Sequence, residues 1–500
     1  MKIPTDNLFQ LIQAMTASEK RYLKRHYSSE KSITTELFDF INSLKQYNEE
    51  EVKEYFIRSK VSKNLKVYKV QLTDLILKSL VSYHNKKSIR SKIRIGLEET
   101  ELLLAKQLYG LAQGRVKKIK EICLKYEEHE YIFAILFYEI LINSFFDVQL
   151  KVREYPILDE FDHYADKIKN TYRLKKINFS LNDKNNNKLT EKLSSKEEKI
   201  YSRILETETE KVKEGKSTFN EQYYLNSSLS LINKLVNDNP EKEYDFKKKN
   251  VALFEANPHF IENHTSYYYA ALYNLLICCR RTGRHKELIS GIRKIKTLTI
   301  EYPFLERNLS FVYYLEIKHN FQKGNYEALI DEFENAIIKH IKKHNQSEES
   351  LPALCFIYFT MTHMILDHPQ KVQFYLRRLH AMSKQLNPSY ELFFDILELI
   401  SHYETGDYDV IQNLLMSFKR KDKKQAGNDT FYIEILDFFT DLIHSPTDKV
   451  LLISNLKAKA ASTQKDGLLN LLNEFLLDNW LDAIESDKTF AEIAKTRQLT

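Results

Sequence analysis

Turns recur along the C-terminal half of this chain at a fixed interval, and that period constrains the fold more than any other feature. Gly283, Gly324 and Gly406 each end an apolar stretch and precede an amphipathic one; the first two lie 41 residues apart and the third 82 further on. Two intervals of 41 predict a further turn near residue 365, where Asp367, His368 and Pro369 interrupt an apolar run. One more interval reaches residue 447, inside the run Ser445, Pro446, Thr447 and Asp448. Glycine ends a helix where the chain needs a positive φ. A Ser-Pro or Asn-Pro step opens one, because the side chain caps the exposed amides and proline has no N–H to leave unpaired; Asn387-Pro388 reads the same way. After the turns the apolar residues keep helical spacing: Leu288, Ile292 and Ile295; Leu329, Phe333 and Ala336; Ile411, Leu415 and Phe418. A helix pair with such faces cannot bury them alone, so neighbouring pairs must stack.

Composition agrees. Ten Gly and nine Pro in 500 residues are too few for the tight turns of sheets. The length exceeds what one core usually organises, and 43% hydrophobic residues are enough to fold. An earlier helix pair is expected to turn near Gly110, in LLLAKQLYGLAQGRVKKIK. Three segments are expected: 1–95, an N-terminal basic helical cap with a helix-turn-helix outline; 96–250, divergent helical repeats; and 251–500, repeats closed by a terminal capping helix around the single tryptophan, Trp480. The Asn-rich stretch 181–195 and the charged stretch 420–429 read as flexible excursions.

Gly324 with Leu329, Phe333 and Ala336, five, nine and twelve positions later, resembles the tetratricopeptide repeat (TPR). The chain departs from that family's pattern. Leu276 and Ile317 replace its first-helix Gly, Leu288 and Leu329 replace its Ala after the turn, and the period exceeds the usual ~34. The ends, LFQLIQAMTASEKRYLKRHY, KNLKVYKVQLTDLILKSLVSYH and DNWLDAIESDKTFAEIAKTR, resemble those of a bacterial family of TPR-like all-helical proteins. That resemblance covers essentially the whole chain and brings no activity with it. It implies an all-α fold: a right-handed superhelical α-solenoid of TPR-like hairpins behind an N-terminal helical cap.

The charge is local. Between residues 58 and 94 eleven Lys and Arg face Asp74 alone, so that segment carries +10 of a total of +6. At about 100° per residue, Val61, Leu65, Tyr68, Leu72, Leu75 and Ile76 share one helix face. Lys60, Lys63, Lys66 and Lys78 lie on the other, with Lys69 at the flank. With Arg58 these residues are candidates for contact with an anionic partner, either an acidic protein surface or nucleic-acid phosphates through residues 58–94. Tyr267, Tyr268 and Tyr269 put aromatics on adjacent faces of one helix, so at least one faces solvent or a groove and is a candidate binding anchor.

Catalytic signatures fail. Glu214-Gly215-Lys216-Ser217-Thr218 resembles the end of a phosphate loop, but Glu210 stands where the loop's first glycine belongs. His340 and His344 have metal spacing without a third local ligand, and His363 and His368 are a weaker pair. Cys123, Cys278, Cys279 and Cys355 form no C-x-x-C and read as buried thiols of a reducing compartment. The most apolar stretch, 131–142, is too short to span a bilayer, and the first twenty residues lack an apolar leader. The expectation is a cytoplasmic, non-catalytic scaffold for a protein or peptide partner, without cofactor or metal and of undetermined oligomeric state. The alternative is a nucleic-acid-associated regulator that uses the basic N-terminal helices.

Overall fold

A computed structural model describes residues 6–27, 32–57, 64–85, 88–146, 156–186, 194–344, 350–383, 386, 388–425, 430–444, 448–463, 467–474 and 477–496. Among them the chain forms helices joined by turns, with no strand. No described helix is long and apolar enough to cross a membrane. The residues divide into two compact units, Met1–Asn237 with Ala252–His264, and Asp238–Val251 with Thr265–Thr500.

In the first unit, α1 (Asn7–Ala14), α2 (Ala17–Tyr27), α3 (Ile33–Ser43), α4 (Glu49–Ile57) and α5 (Leu65–His84) close around Ile12, Leu37, Ile41, Val52, Leu72 and Ile76. Next, α6 (Ile89–Ala105), α7 (Tyr109–Lys125) and α8 (His129–Phe146) pack on Ile93, Val116, Ile119 and Ile135. A third core joins α9 (Pro156–Asn186), α10 (Ser195–Lys213) and α11 (Phe219–Leu235). The unit boundary falls within α12 (Pro240–Ala256), and α13 (Pro258–Asn263) belongs to the first unit. Leu181 is fully buried and α9 runs on to Asn186, so the first part of the expected 181–195 excursion is ordered helix; 187–193 lie outside the described residues.

The second unit is a series of helix pairs: α14 (Thr265–Arg281) with α15 (His285–Glu301); α16 (Leu309–Gln322) with α17 (Tyr326–Leu329), a π-turn (Ile330–Glu334) and α18 (Asn335–His344); α19 (Ser350–Ile365) with α20 (Pro369–Met382). Then come α21 (Pro388–Glu404) with α22 (Tyr408–Gln425), and α23 (Thr430–His444) with α24 (Lys449–Ser462). Three shorter helices follow, α25 (Gly467–Glu474), α26 (Leu477–Glu485) and α27 (Phe490–Thr496). One core runs from Ile317 through Trp480 to Ala494. Helix α22 continues to Gln425, so the first part of 420–429 is helical too; 426–429, like 445–447 and Asn387, lie outside the described residues.

The joints share one geometry. In each, the second residue after the helix takes a positive φ, and the next N–H bonds back five residues, the Schellman closure that satisfies a free terminal carbonyl. These bonds, all 2.8–3.0 Å, join Leu108 to Leu103, Glu128 to Cys123, Lys216 to Lys211, Arg284 to Cys279, Asn325 to Asn320, His368 to His363, Asp407 to His402 and Lys488 to Ala483. The turn expected near 365 is centred on Asp367, at φ 57°. The turn expected near Gly110 lies instead at Gln107, φ 60°; Gly110 sits inside α7, because Gln107 itself takes the left-handed conformation. Side-chain hydrogen bonds tie helices of different pairs. Arg281 donates to Glu243 at 2.6 Å, the Tyr375 hydroxyl to Glu334 at 2.6 Å and the Tyr432 hydroxyl to Asp395 at 2.9 Å, spans of 38, 41 and 37 residues.

Candidate functional site

The predicted basic ridge survives only in part as free charge. Arg58, Lys60 and Lys63 lie outside the described residues. Lys66 and Lys78 are exposed on α5. Lys69 turns inward, its side chain 15% exposed, where it pairs with Glu49 at 2.5 Å and donates to the Tyr47 hydroxyl at 2.7 Å. Tyr47 in turn donates to Glu49, so the cation neutralises an internal carboxylate. Arg90 is likewise engaged, its Nε 2.8 Å from the Glu128 carboxylate. Of the three tyrosines, Tyr268 and Tyr269 are core residues, Tyr269 donating to the Asn308 carbonyl at 2.6 Å, and only Tyr267 faces outward.

The sequence reading missed a second cluster, on the first helices of successive pairs in the second unit. Tyr273 of α14 meets Phe311 of α16 edge to face, ring centroids 5.4 Å apart. Seven residues further along each of these parallel helices, the same register sets Arg280 beside Lys318. The Lys318 ammonium lies 6.0 Å from the ring centres of Tyr314 and Tyr358 and pairs with Glu474 of α25, which also accepts from the Tyr358 hydroxyl at 2.8 Å. Burial and the Arg280 guanidinium push Lys318 down to about 7, while the Glu474 carboxylate opposes that drop. Burial raises the Tyr273 and Tyr314 hydroxyls to about 12, so both stay neutral donors at physiological pH. Arg280 is half-buried and has no carboxylate partner among the described residues.

Chemically the cluster combines aromatic faces, neutral hydroxyls and a guanidinium without a carboxylate partner among the described residues, set around the buried Lys318 and Tyr358. The cysteine near it, Cys355, is buried and its thiol raised to about 12, which makes it a poor nucleophile. No protein-family model matches the chain, and no curated protein matches it in sequence. The resemblances drawn above therefore rest on the quoted residues alone.

The remaining polar clusters have structural explanations. At the π-turn, Glu334 points inward and accepts from Tyr375 at 2.6 Å and Lys371 at 2.9 Å, with the His363 Nε2 at 3.4 Å. His363 and His368 face each other through their Nδ1 atoms at 3.1 Å. Burial would raise the Glu334 carboxyl, but the bonds from His363, Tyr375 and Lys371 outweigh it and hold the group at about 2. The His340 and His344 rings lie in tilted contact with centroids 4.6 Å apart, and burial lowers both. Among the described residues no group of three His, Cys, Asp or Glu is placed to hold a metal. Gly215 takes φ 69° at a helix joint, and Thr218 forms a capping box with Glu221, which accounts for the glycine and threonine of the expected phosphate-loop fragment without a ligand.

Proposed function

We propose that this protein is a non-catalytic, cytoplasmic protein–protein interaction scaffold in which TPR-like hairpins stack as a right-handed α-solenoid. The first helices would form its binding face. The observation that carries the reading is the partly exposed group Tyr273, Arg280, Phe311 and Tyr314, aromatics and a guanidinium without a carboxylate partner among the described residues, supported from beneath by the buried Lys318 and Tyr358. Aromatic and Arg side chains in partly desolvated positions dominate binding energy at interfaces. The period near 41 and the ties between successive pairs support stacking as the source of stability. The nucleic-acid alternative has less support, since Lys69 and Arg90 of the basic segment are paired with Glu49 and Glu128, while Lys66 and Lys78 stay exposed.

The test is affinity purification of the tagged full chain from its native cells, with and without nuclease, beside the variant Arg280→Gln/Phe311→Ala. A defined protein set that resists nuclease and is lost from the variant is the expected result. A set that vanishes with nuclease and ignores the variant would move the function to the N-terminal basic helices and nucleic acid.

A further inference from the structure

Helix α5 is apolar on two opposite sides. Its inner stripe, Leu65, Leu72 and Ile76, is buried against the N-terminal core. Its outer side carries Val67, Val70, Leu77 and Val81, which are 53, 47, 47 and 60% exposed. With Asp74 these residues follow steps of three, four, three and four, the spacing of a coiled-coil seam. At about 100° per residue they fall within roughly 80° of arc, opposite the buried stripe. Lys66 flanks the seam on one side and Lys78 on the other, and neither pairs with a carboxylate among the described residues. Scattered exposed aliphatic residues need no explanation; a continuous seam with cationic borders does.

We propose that this face of α5 docks an amphipathic helix of a partner protein, one with an apolar seam, acidic flanks and a single basic residue opposite Asp74. The inference is independent of the binding face assigned above, because it concerns the other compact unit. Charge fixes the choice of occupant. Lys66 and Lys78 lie where a packed helix presents its flanking positions, so acidic side chains there gain and basic ones repel. A second copy of α5 is excluded by the position of Asp74, midway between Val67 and Val81. Aligned parallel or antiparallel, two copies would set Asp74 against Asp74 in the seam and line the borders with lysines, both like-charge contacts. A lipid surface would accept the lysines but not a carboxylate at the centre of the inserted stripe. The single acid that disfavours both alternatives specifies register for a heterologous helix, as a lone polar residue in a seam does.

The test uses the full chain and a labelled helical peptide of three heptads with leucine at its seam positions, glutamate at its flanks and one lysine at the central seam position. Fluorescence anisotropy is expected to show binding by a single site. Binding should weaken at least tenfold when the flanks are changed to lysine, and at least tenfold in Val70→Glu/Leu77→Glu. Both substituted residues are exposed, and an unchanged circular-dichroism melt confirms that the variant folds. Equal binding of the lysine-flanked peptide, full affinity in the variant, or no binding at all would each overturn the proposal. So would a concentration-dependent dimer by light scattering, or binding to anionic phosphatidylserine vesicles, that the variant abolishes.

Discussion

Replacing Glu334 tests whether the π-turn cluster ties neighbouring helix pairs together. The carboxyl drops from an ordinary 4.5 to about 2, which at ~1.36 kcal/mol per unit corresponds to ~3 kcal/mol of preferential binding to the charged form. One of its partners, Lys371, has a side chain 54% exposed, so solvent screening reduces the net contribution to ~2 kcal/mol. Glu334→Ala also strips the buried Tyr375 hydroxyl of its acceptor, adding ~1 kcal/mol or more, for an expected loss of ~3 kcal/mol. Glu334→Gln keeps an acceptor for Tyr375 and is expected to lose ~1–2 kcal/mol. The sign with pH follows from the lowered carboxyl. Its stabilisation is fully present above the unfolded value near 4.5 and is lost as pH falls towards about 2. Urea denaturation read by Trp480 fluorescence reports on this unit, since Trp480 is buried against Phe438, Phe439 and Tyr403 of the same core. Wild type should lose ~2 kcal/mol more than Glu334→Gln between pH 5 and 2. A Glu334→Ala variant within ~1 kcal/mol of wild type, or identical acid limbs for wild type and Glu334→Gln, would refute the reasoning.

Three further outcomes follow from the joints and from α5. Gly110→Ala is expected to be neutral or to stabilise by up to ~0.5 kcal/mol, since a methyl there meets nothing within 4 Å. Gly96→Ala should cost ~1–2 kcal/mol, because its methyl would come within 2.7 Å of the Ile119 side chain; thermal melts separate the two. Asp367→Gly should gain ~0.5–1 kcal/mol and Gly283→Ala lose ~1 kcal/mol, as both positions hold φ above 50°; the same sign for both in a denaturation series would contradict the shared geometry. Lys69→Ala should cost ~1–2 kcal/mol by removing the close cation of Glu49 and Tyr47 and leaving Glu49 only the more distant Lys53, whereas Lys66→Ala should stay within ~0.5 kcal/mol in the same assay.

The helical class and three of the joints were legible because Schellman joints favour glycine, and Gly283, Gly324 and Gly406 advertise them. The joints at Gln107, Glu127, Asp367 and Asp487 carry side chains at positive φ. A search for glycine therefore misplaces the first, at Gly110, and passes over Glu127. Asp367 was found by interval alone. The inner stripe of α5 was read correctly from Leu65, Leu72 and Ile76. Its outer stripe was hidden because Val67, Val70, Leu77 and Val81 interleave with lysines that dominate the eye. The pairing of Lys69 has no local signal because its acid, Glu49, comes from a different helix, α4. The Arg280–Lys318 cluster had no local signal at all. It exists because a register of parallel helices aligns residues separated by a pair of turns, and because Glu474 returns from far along the chain.

That return has a consequence for biosynthesis. Lys318 emerges from the ribosome 156 residues before Glu474, on the order of ten to thirty seconds at typical elongation rates. Until then its ammonium lacks the Glu474 carboxylate, and Tyr358 lacks the same acceptor. The helix pairs between can assemble one after another as they are made. The Lys318 ammonium must nevertheless keep its water, or another counter-charge, until the stretch that carries Glu474 arrives.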